Sequence, residues 1–524
     1  MLDMKSPNFL LIITDQQRAD SLGCYGGLNG RTPNIDSLSK MGVIFDRCYV
    51  ASPVCMPNRA SLMTGRMPSR HGTRMNGIPL SLHENTFVKQ LQKAGYRTAL
   101  IGKSHLQTTE DVRPRFNSTG VGPDGVDEAI QRPSGDDYEQ DMPWRFSPGA
   151  ATRTLPYYGF DKAVLCTGHG DLAGGDYRLW AKSIEPRFED LVGASNALPH
   201  SAVCPQAWRT AVPEELYPTR FVEQATIKQL REWSKEDADS PFFLMMSFPD
   251  PHHPFTPPGR YWDLFKPEDM TLPQSFGRGH DTLPQVAWAR NQRAAYPDAV
   301  NGYGALSISE EECREAIALT CGLVSMIDDS IGAVLQELRS LHLDQETIVI
   351  FTSDHGDLLG DYGLLLKGPI HAQSLIRVPF IWCDPKTSAH GRIYDGLCST
   401  IDISASILGR AGVASYNGIQ GTSLLAAVES GNRLRDDLLI EEDAYQAQLG
   451  FESPPRIRTL ITDRYRMTMY SSGHCELFDL HTDPNELHNL WRDSPSALQA
   501  ELLERLSLAM LLGADTSPRP RYLA

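Results

Sequence analysis

The chain has 524 residues, 41% of them hydrophobic and 22% charged, which suits one large core with a smaller partner domain and excludes an intrinsically disordered protein. Acidic side chains outnumber basic ones 65 to 49, for a net charge of -16. That balance excludes a nucleic-acid surface or an anionic membrane surface, both of which need a basic face, so neither partner is expected. An anionic substrate would need a local cluster of cations to reverse the field.

The first apolar run, 9–13, is much shorter than a signal-peptide core or a membrane span, and it flows directly into Asp15. The ten cysteines contain no C-x-x-C pair, a spacing expected of reduced, buried thiols and a cytoplasmic location. Strands are expected at 8–14, 96–101, 242–247, 347–352 and 376–382, and helices at 86–94, 222–233, 313–338 and 401–408. Helices alternating with apolar strands predict an α/β fold with parallel strands. The rhythm fails across 108–218 and 267–301, where Pro, Gly and Asp dominate; irregular insertions of this kind serve as lids or binding loops. Two strands at 456–462 and 465–471, the segment Glu476-Leu-Phe-Asp-Leu and a helix at 496–512 predict a small C-terminal α+β domain. The division is therefore a catalytic domain, 1–440, and a small domain with a tail, 441–524. The Pro-rich tail from Ser517 is expected to dock on a neighbouring subunit of a homo-oligomer.

Cys55-Met-Pro-Asn-Arg59, continued by Ala-Ser-Leu-Met-Thr64-Gly65, places a thiol at a loop-to-helix junction, where the helix N-terminus favours a bound anion. Asp15 and Asp354 each follow an apolar strand, the edge where α/β sheets present ligand-binding residues. One strand-end Asp is more often a turn residue or helix cap. Two in matching contexts, with Gln16 and His355 beside them, point to one divalent cation.

The Cys55 run resembles the sulfatase signature, and further segments follow in the order of that family. Phe9–Thr14 with Asp15-Gln16 looks like its first metal-binding strand end, and Thr32-Pro-Asn-Ile-Asp36 like the loop after it. Gly95 to His105 is similar to its second signature, and Pro251-His252-His253-Pro254-Phe255 to its PHxP segment. Ser353-Asp354-His355-Gly356-Asp357 with Lys367 resembles its second metal segment, and Glu476-Leu-Phe-Asp-Leu with Asp483-Pro484 its C-terminal motif. The resemblance implies the alkaline phosphatase superfamily fold, a large mixed, mainly parallel sheet sandwiched by helices.

It also implies roles. Cys55 becomes formylglycine through a formylglycine-generating or equivalent maturation enzyme, and its hydrate supplies the nucleophilic hydroxyl. Asp15, Gln16, Cys55, Asp354 and His355 surround the metal. Arg59, Lys103, Lys367 and Asn76 hold the anion. His105 orients or deprotonates the hydrated aldehyde, lying on the same face as Lys103 if the segment is extended. His252 protonates the leaving oxygen with Lys367, while His253 is its neighbour without a role.

Two residues depart from the pattern. Gln16 stands where many sulfatases carry a second carboxylate, and His355 where many carry Asn. The shell becomes richer in nitrogen, so manganese rivals calcium, the family default. The Asp-Gln pair and Asn76 are similar to phosphonate monoester hydrolases and choline sulfatases. The Lys103-x-His105 pair, absent from the phosphonate hydrolases, favours sulfate. The expected activity is hydrolysis of small anionic sulfate monoesters, aryl esters foremost, with promiscuity towards phosphonate and phosphate esters. A phosphonate monoester hydrolase or phosphodiesterase is the alternative. A choline sulfatase, with an aromatic cage from Tyr138, Tyr157, Tyr158 and Trp180, is a further one, and a metal-binding scaffold without catalysis is the non-enzymatic one.

Overall fold

The computed structural model describes residues 6–27, 29–109, 135–147, 153–236, 240–278, 283–387 and 389–519. Its strands, in chain order, are β1 (Asn8–Thr14), β2 (Val43–Phe45), β3 (Cys48–Tyr49), β4 (Arg97–Gly102), β5 (Lys162–Thr167), β6 (Gly174–Gly175), β7 (Phe242–Ser247), β8 (Thr347–Ser353), β9 (Phe380–Cys383), β10 (Arg392–Tyr394), β11 (Cys398–Ser399), β12 (Asp437–Asp443), β13 (Arg456–Thr462), β14 (Tyr465–Tyr470) and β15 (Cys475–Asp479).

β1, β7 and β8 are buried at every position, which is why their sequences are continuous apolar runs and do not alternate. Side chains still point to opposite faces. Phe9, Leu11 and Ile13 meet Ala60, Leu62 and Met63 of the helix Cys55–Thr64 on one face. Leu10 and Ile12 meet Leu323, Ile327 and Ile331 of the helix Glu310–Ser340 on the other. That last helix starts at a Ser309/Glu312 capping box and is long and apolar enough to cross a membrane by composition, but 83% of its apolar window is buried in the fold. It is a core helix.

These strands lie in a nine-stranded sheet of order β10-β2-β9-β8-β1-β7-β4-β5-β6. β8, β1, β7, β4 and β5 run parallel, whereas β9 is antiparallel to β8, β2 to β9, and β6 to β5. The sheet is thus mixed and mainly parallel, with helices on both faces, as expected. The carboxyl ends of β1, β4, β5, β7 and β8 open onto one edge, which carries Asp15, Lys103, His169, His252 and Asp354.

Three expectations need correction. The insertion 108–218 is only partly irregular: β5 extends the sheet and is followed by the helix Asp176–Ile184, while 110–134 and 148–152 fall outside the described residues. The insertion 267–301 likewise contains the helix Pro284–Ala295, with 279–282 outside the described residues. The run 376–382 is not one strand. Gln373–Ile376 forms a helical turn, and the strand begins only at Phe380, after Pro379. Proline has no N–H to give a central ladder, so pairing starts beyond it.

β12 to β15 form an antiparallel sheet in that order, on which Leu502 and Leu506 of the helix Ser496–Leu512 pack against Leu460, Met467 and Leu477. The sheet begins at Asp437, so the expected boundary at residue 441 falls inside its first strand. It is joined to the nucleophile region, since Glu441 N donates to Ala51 O (2.9 Å) and Glu441 accepts from Ser69 N (2.9 Å). The residues that lead into the tail are tied to their own chain. Asp515 pairs with Arg66 (2.6 Å), Gly513 O accepts from Arg70 Nε (2.7 Å), and Thr516 O accepts from Asn417 (3.0 Å). Residues 520–524 lie outside the described residues.

Candidate active site

Cys55 is the first residue of the helix Cys55–Thr64, and all ten residues of that helix are buried. Asn76, exposed at the rim, accepts from the Met56 amide (3.1 Å) and so holds the first turn. Asn58 anchors the same turn below: it donates to Asp354 O (2.5 Å) and accepts from Ala51 N (2.9 Å) and Thr400 Oγ1 (2.8 Å). The thiol therefore sits at the positive end of a fixed helix dipole.

Around it the sheet edge delivers a compact donor set. Cys55 Sγ lies 3.0 Å from His355 Nε2 and 3.9 Å from Asp15 Oδ1. Ligand atoms of Asp15, Cys55, Asp354 and His355 all fall within 4.8 Å of one another. His355 Nδ1 faces Gly356 O at 2.8 Å, and because a carbonyl only accepts, Nδ1 carries the hydrogen. That leaves Nε2 as the lone-pair nitrogen turned to the cluster, as in metal-binding histidines held by a backbone carbonyl. Two carboxylates, this imidazole and the side chain of residue 55 fit one divalent cation.

Gln16, expected among the ligands, adjoins this set. Its Nε2 donates to Asp357 (2.5 Å), its Oε1 accepts from Lys367 (2.6 Å), and its backbone amide donates to Asp354 Oδ1 (3.0 Å). Arg59, expected against the anion, is corrected. Its Nε donates to Asp354 (2.7 Å), Nη1 to Lys103 O (3.0 Å) and Ser247 Oγ (2.9 Å), and Nη2 to Asp15 (3.3 Å). With its side chain 1% exposed and its fork committed to protein acceptors, Arg59 positions both carboxylates and does not face a substrate.

Lys103 is launched by Gly102, whose φ of +105° and 1.8 Å approach of an added Cβ to Ser247 O admit only glycine. Its ammonium donates to Asp15 and to His169 Nε2 (2.5 Å). The Lys103–His105 segment is not extended. His105 has φ 54° and its Nδ1 is buried without a hydrogen-bond partner among the described residues. Lys367 donates to Gln16 and to His252 Nε2 (3.1 Å), while His252 Nδ1 faces His253 O (2.6 Å) and therefore carries the hydrogen. His253 is not idle, as its Nδ1 meets Gln16 Nε2 (3.3 Å) and its ring stacks on His252 (4.0 Å).

Charges follow the geometry. Burial alone would raise the Asp15 carboxyl, but Lys103, Arg59, His169 and His355 together hold it well below the carboxylate range. Burial also raises the Cys55 thiol, yet Lys367, His355 and Lys103 outweigh it and Asp15, so the thiol is lowered. Burial, then Lys103 and Arg59, push His105 well down; burial, then His169, His253 and Lys367, do the same to His252. Both imidazoles are neutral bases at neutral pH. Against a chain charge of -16, the site gathers Arg59, Lys103 and Lys367 in one place.

Sequence reasoning missed Asn58, Ser247, Asp357 and His169. Only His169 had a local signal, an imidazole between two glycines just after an apolar run. The expected aromatic cage is not formed. Tyr157 and Tyr158 are fully buried, bonded to Asp141 (2.9 Å) and Leu80 O (2.6 Å), Tyr138 OH accepts from Leu82 N (3.0 Å), and Trp180 packs on Phe221.

Comparison with known proteins adds a lineage. The family profile described as Sulfatase matches residues 7–413, and one described as N-sulphoglucosamine sulphohydrolase, C-terminal, matches residues 360–510. An arylsulfatase of Clostridium perfringens is 28% identical over 97% of this chain and 95% of its own. A multifunctional alkaline phosphatase superfamily protein, PehA, of Trinickia caryophylli is 29% identical over 94% of this chain and 92% of its own. The crystal structure of the phosphonate monoester hydrolase of Agrobacterium radiobacter superposes with a TM-score of 0.75, at 24% identity, over 98% of this chain and 97% of that one.

Proposed function

The chain belongs to the sulfatase family, and from that premise we propose that it cleaves small sulfate monoesters, aryl esters foremost, with a nucleophile derived from Cys55. It is a sulfuric ester hydrolase; the ester, the modification and the ion are the parts of this reading that go further. The observation that carries it is the convergence of Cys55, Asp15, Asp354 and His355 within 4.8 Å, beneath Lys103 and Lys367.

A formylglycine at position 55 would supply a hydrated aldehyde, one hydroxyl of which attacks sulfur as the ester S–O bond breaks and the alcohol leaves; loss of the proton of the other hydroxyl then reforms the aldehyde and expels sulfate, an exit that a thiolate lacks. Asp15, Asp354, His355 and residue 55 would hold a divalent ion, which would supply Lewis-acid polarisation of the ester and lower the pKa of the attacking hydroxyl. The chain's own groups do the rest. Arg59 fixes both carboxylates, and the neutral imidazole of His105 is the group that the family resemblance assigns to orient or deprotonate the hydrated aldehyde. His252 Nε2 accepts from Lys367 Nζ, so in this arrangement the proton for the leaving oxygen resides on Lys367, and His252 holds that ammonium in place.

The nitrogen-bearing ligand set favours manganese over calcium. After chelation, added Mn2+ should raise the unfolding free energy by about 4 kcal/mol at a thousandfold excess over its Kd, and Ca2+ by less. A larger shift with Ca2+ would reverse the assignment.

Phosphonate monoesters are the second reading, favoured by Gln16, His355 and Asn76. Comparing kcat/KM for 4-nitrophenyl sulfate with that for the 4-nitrophenyl ester of phenylphosphonate separates the two. A preference for the phosphonate beyond about tenfold, or 1.4 kcal/mol, would put it first. We also assign the protein to a reducing, cytoplasmic compartment, because its ten cysteines are free and nine of them are buried. Recovery in a secreted fraction would overturn that.

A further inference from the structure

His169 belongs to none of the segments that mark the family, yet it stands inside the site. β5 is followed by Gly168-His169-Gly170, with φ of 71° and 52° at the two glycines. An added Cβ at Gly170 would lie 2.9 Å from both Pro254 Cγ and Thr256 Oγ1, so this loop packs directly on the segment that follows His252-His253. The next residue is anchored as well: Asp171 Oδ2 accepts from Gly193 N (3.1 Å), Trp208 Nε1 (2.9 Å) and Thr210 Oγ1 (2.7 Å). The backbone that carries His169 is therefore held on both sides.

The ring is held too. It stacks on His252 with centroids 3.5 Å apart and planes 10° apart, and its Nε2 accepts from Lys103. An Nε2 that accepts from an ammonium carries the lone pair, so the hydrogen sits on Nδ1. Nδ1 has no partner among the described residues, and the side chain is 23% exposed while its neighbours Lys103 and Asp15 are at 1% and 0%. A rigid donor is left over at the edge of an anion site.

Counting hydrogens says what it is for. An ammonium has three. Lys103 commits two to Asp15 and His169, and Lys367 commits two to Gln16 and His252. Each lysine keeps one, and that of Lys367 is the proton for the leaving oxygen, so of the two only Lys103 has a hydrogen for the three non-bridging oxygens of a sulfate monoester. We propose that His169 Nδ1–H binds one of these oxygens and is a specificity-determining residue. A phosphonate monoester places a carbon, which accepts nothing, in one of these positions, and a phosphodiester an ester oxygen, a weaker acceptor than a charged oxygen. The inference rests on the sulfate reading above and deepens it.

The test begins with binding, which needs no turnover. Calorimetry would compare inorganic sulfate with the methyl monoester of methylphosphonate on the wild type, His169→Ala and His169→Asn. Alanine should weaken sulfate by roughly 10- to 100-fold, the effect of one lost hydrogen bond to a charged group, and the phosphonate monoester by less than about threefold. Asparagine, which keeps a donor, should restore most of the loss. Kinetics on the two 4-nitrophenyl esters named above should show the same change in preference. Equal losses on both anions, or no rescue by asparagine, would make His169 only a prop for His252 and overturn the proposal. A wild type that discriminates between the anions through His169 yet hydrolyses neither ester would sink the proposed substrate and leave this inference standing.

Discussion

Cys55→Ala should abolish ester hydrolysis, by at least about 10^4-fold in kcat, while leaving the fold in place. The asymmetry follows from what the thiol touches. Its recorded contacts are with His355 at 3.0 Å and Asp15 at 3.9 Å, and neither carboxylate depends on it for a counter-charge. Arg59 and Lys103 supply that charge from elsewhere. Removing one buried sulfur should therefore cost about 1 kcal/mol of stability, within the range of an ordinary small truncation. Urea unfolding of the variant against the wild type measures the second effect, and turnover of an aryl sulfate the first. Cys55→Ser is the sharper control. Serine restores a hydroxyl but no hydrated aldehyde, so it should form a covalent ester that is not released, giving at most a single turnover. Multiple turnovers by either variant would remove residue 55 from the chemistry. Peptide mass analysis of the active wild type, seeking aldehyde in place of thiol at that residue, tests the modification directly.

The parts of this site that the sequence declared are those with a local cause. Asp15 and Asp354 were legible because each ends an apolar strand, and a parallel sheet must present such residues at its carboxyl edge. Cys55 and Arg59 were legible because four residues in a helix form one turn. What those residues do was harder to read. An arginine beside a nucleophile gives no hint of how many acceptors surround it, and here Asp354, Asp15, Lys103 O and Ser247 take up its fork before any substrate arrives. The partners of Gln16 were out of reach for the same reason, since Asp357 and Lys367 lie hundreds of residues away in sequence. β5 was hidden because six residues of strand between glycine- and proline-rich stretches carry too little periodicity to stand out, and with β5 went His169. The fold was readable from its long central strands. The division of labour within the site was not, because it is decided by contacts between distant segments.

Arg59→Ala should be the most destabilising change in the site. Asp15 and Asp354 have side chains 0% and 1% exposed, and Arg59, itself at 1%, is the residue that bridges them. Removing one partner of a buried ion pair leaves uncompensated charge, at a cost of about 3–5 kcal/mol. Lys103 still reaches Asp15, but among the described residues Asp354 keeps only the Gln16 amide at 3.0 Å and no cationic side chain closer than the 3.8 Å of His355. The alanine variant should unfold at markedly lower urea and lose turnover. Arg59→Lys separates charge from geometry: a point charge can neutralise one carboxylate but cannot span acceptors on β4, β7 and both carboxylates, so it should recover more stability than activity. Because the same two carboxylates are the proposed cation ligands, adding Mn2+ should stabilise Arg59→Ala by more free energy than it stabilises the wild type, a coupling that an unrelated packing defect would not produce. If Mn2+ stabilised both proteins equally, the carboxylates would not be where the cation acts, and the reading of Arg59 as the element that assembles the metal site would fall with it.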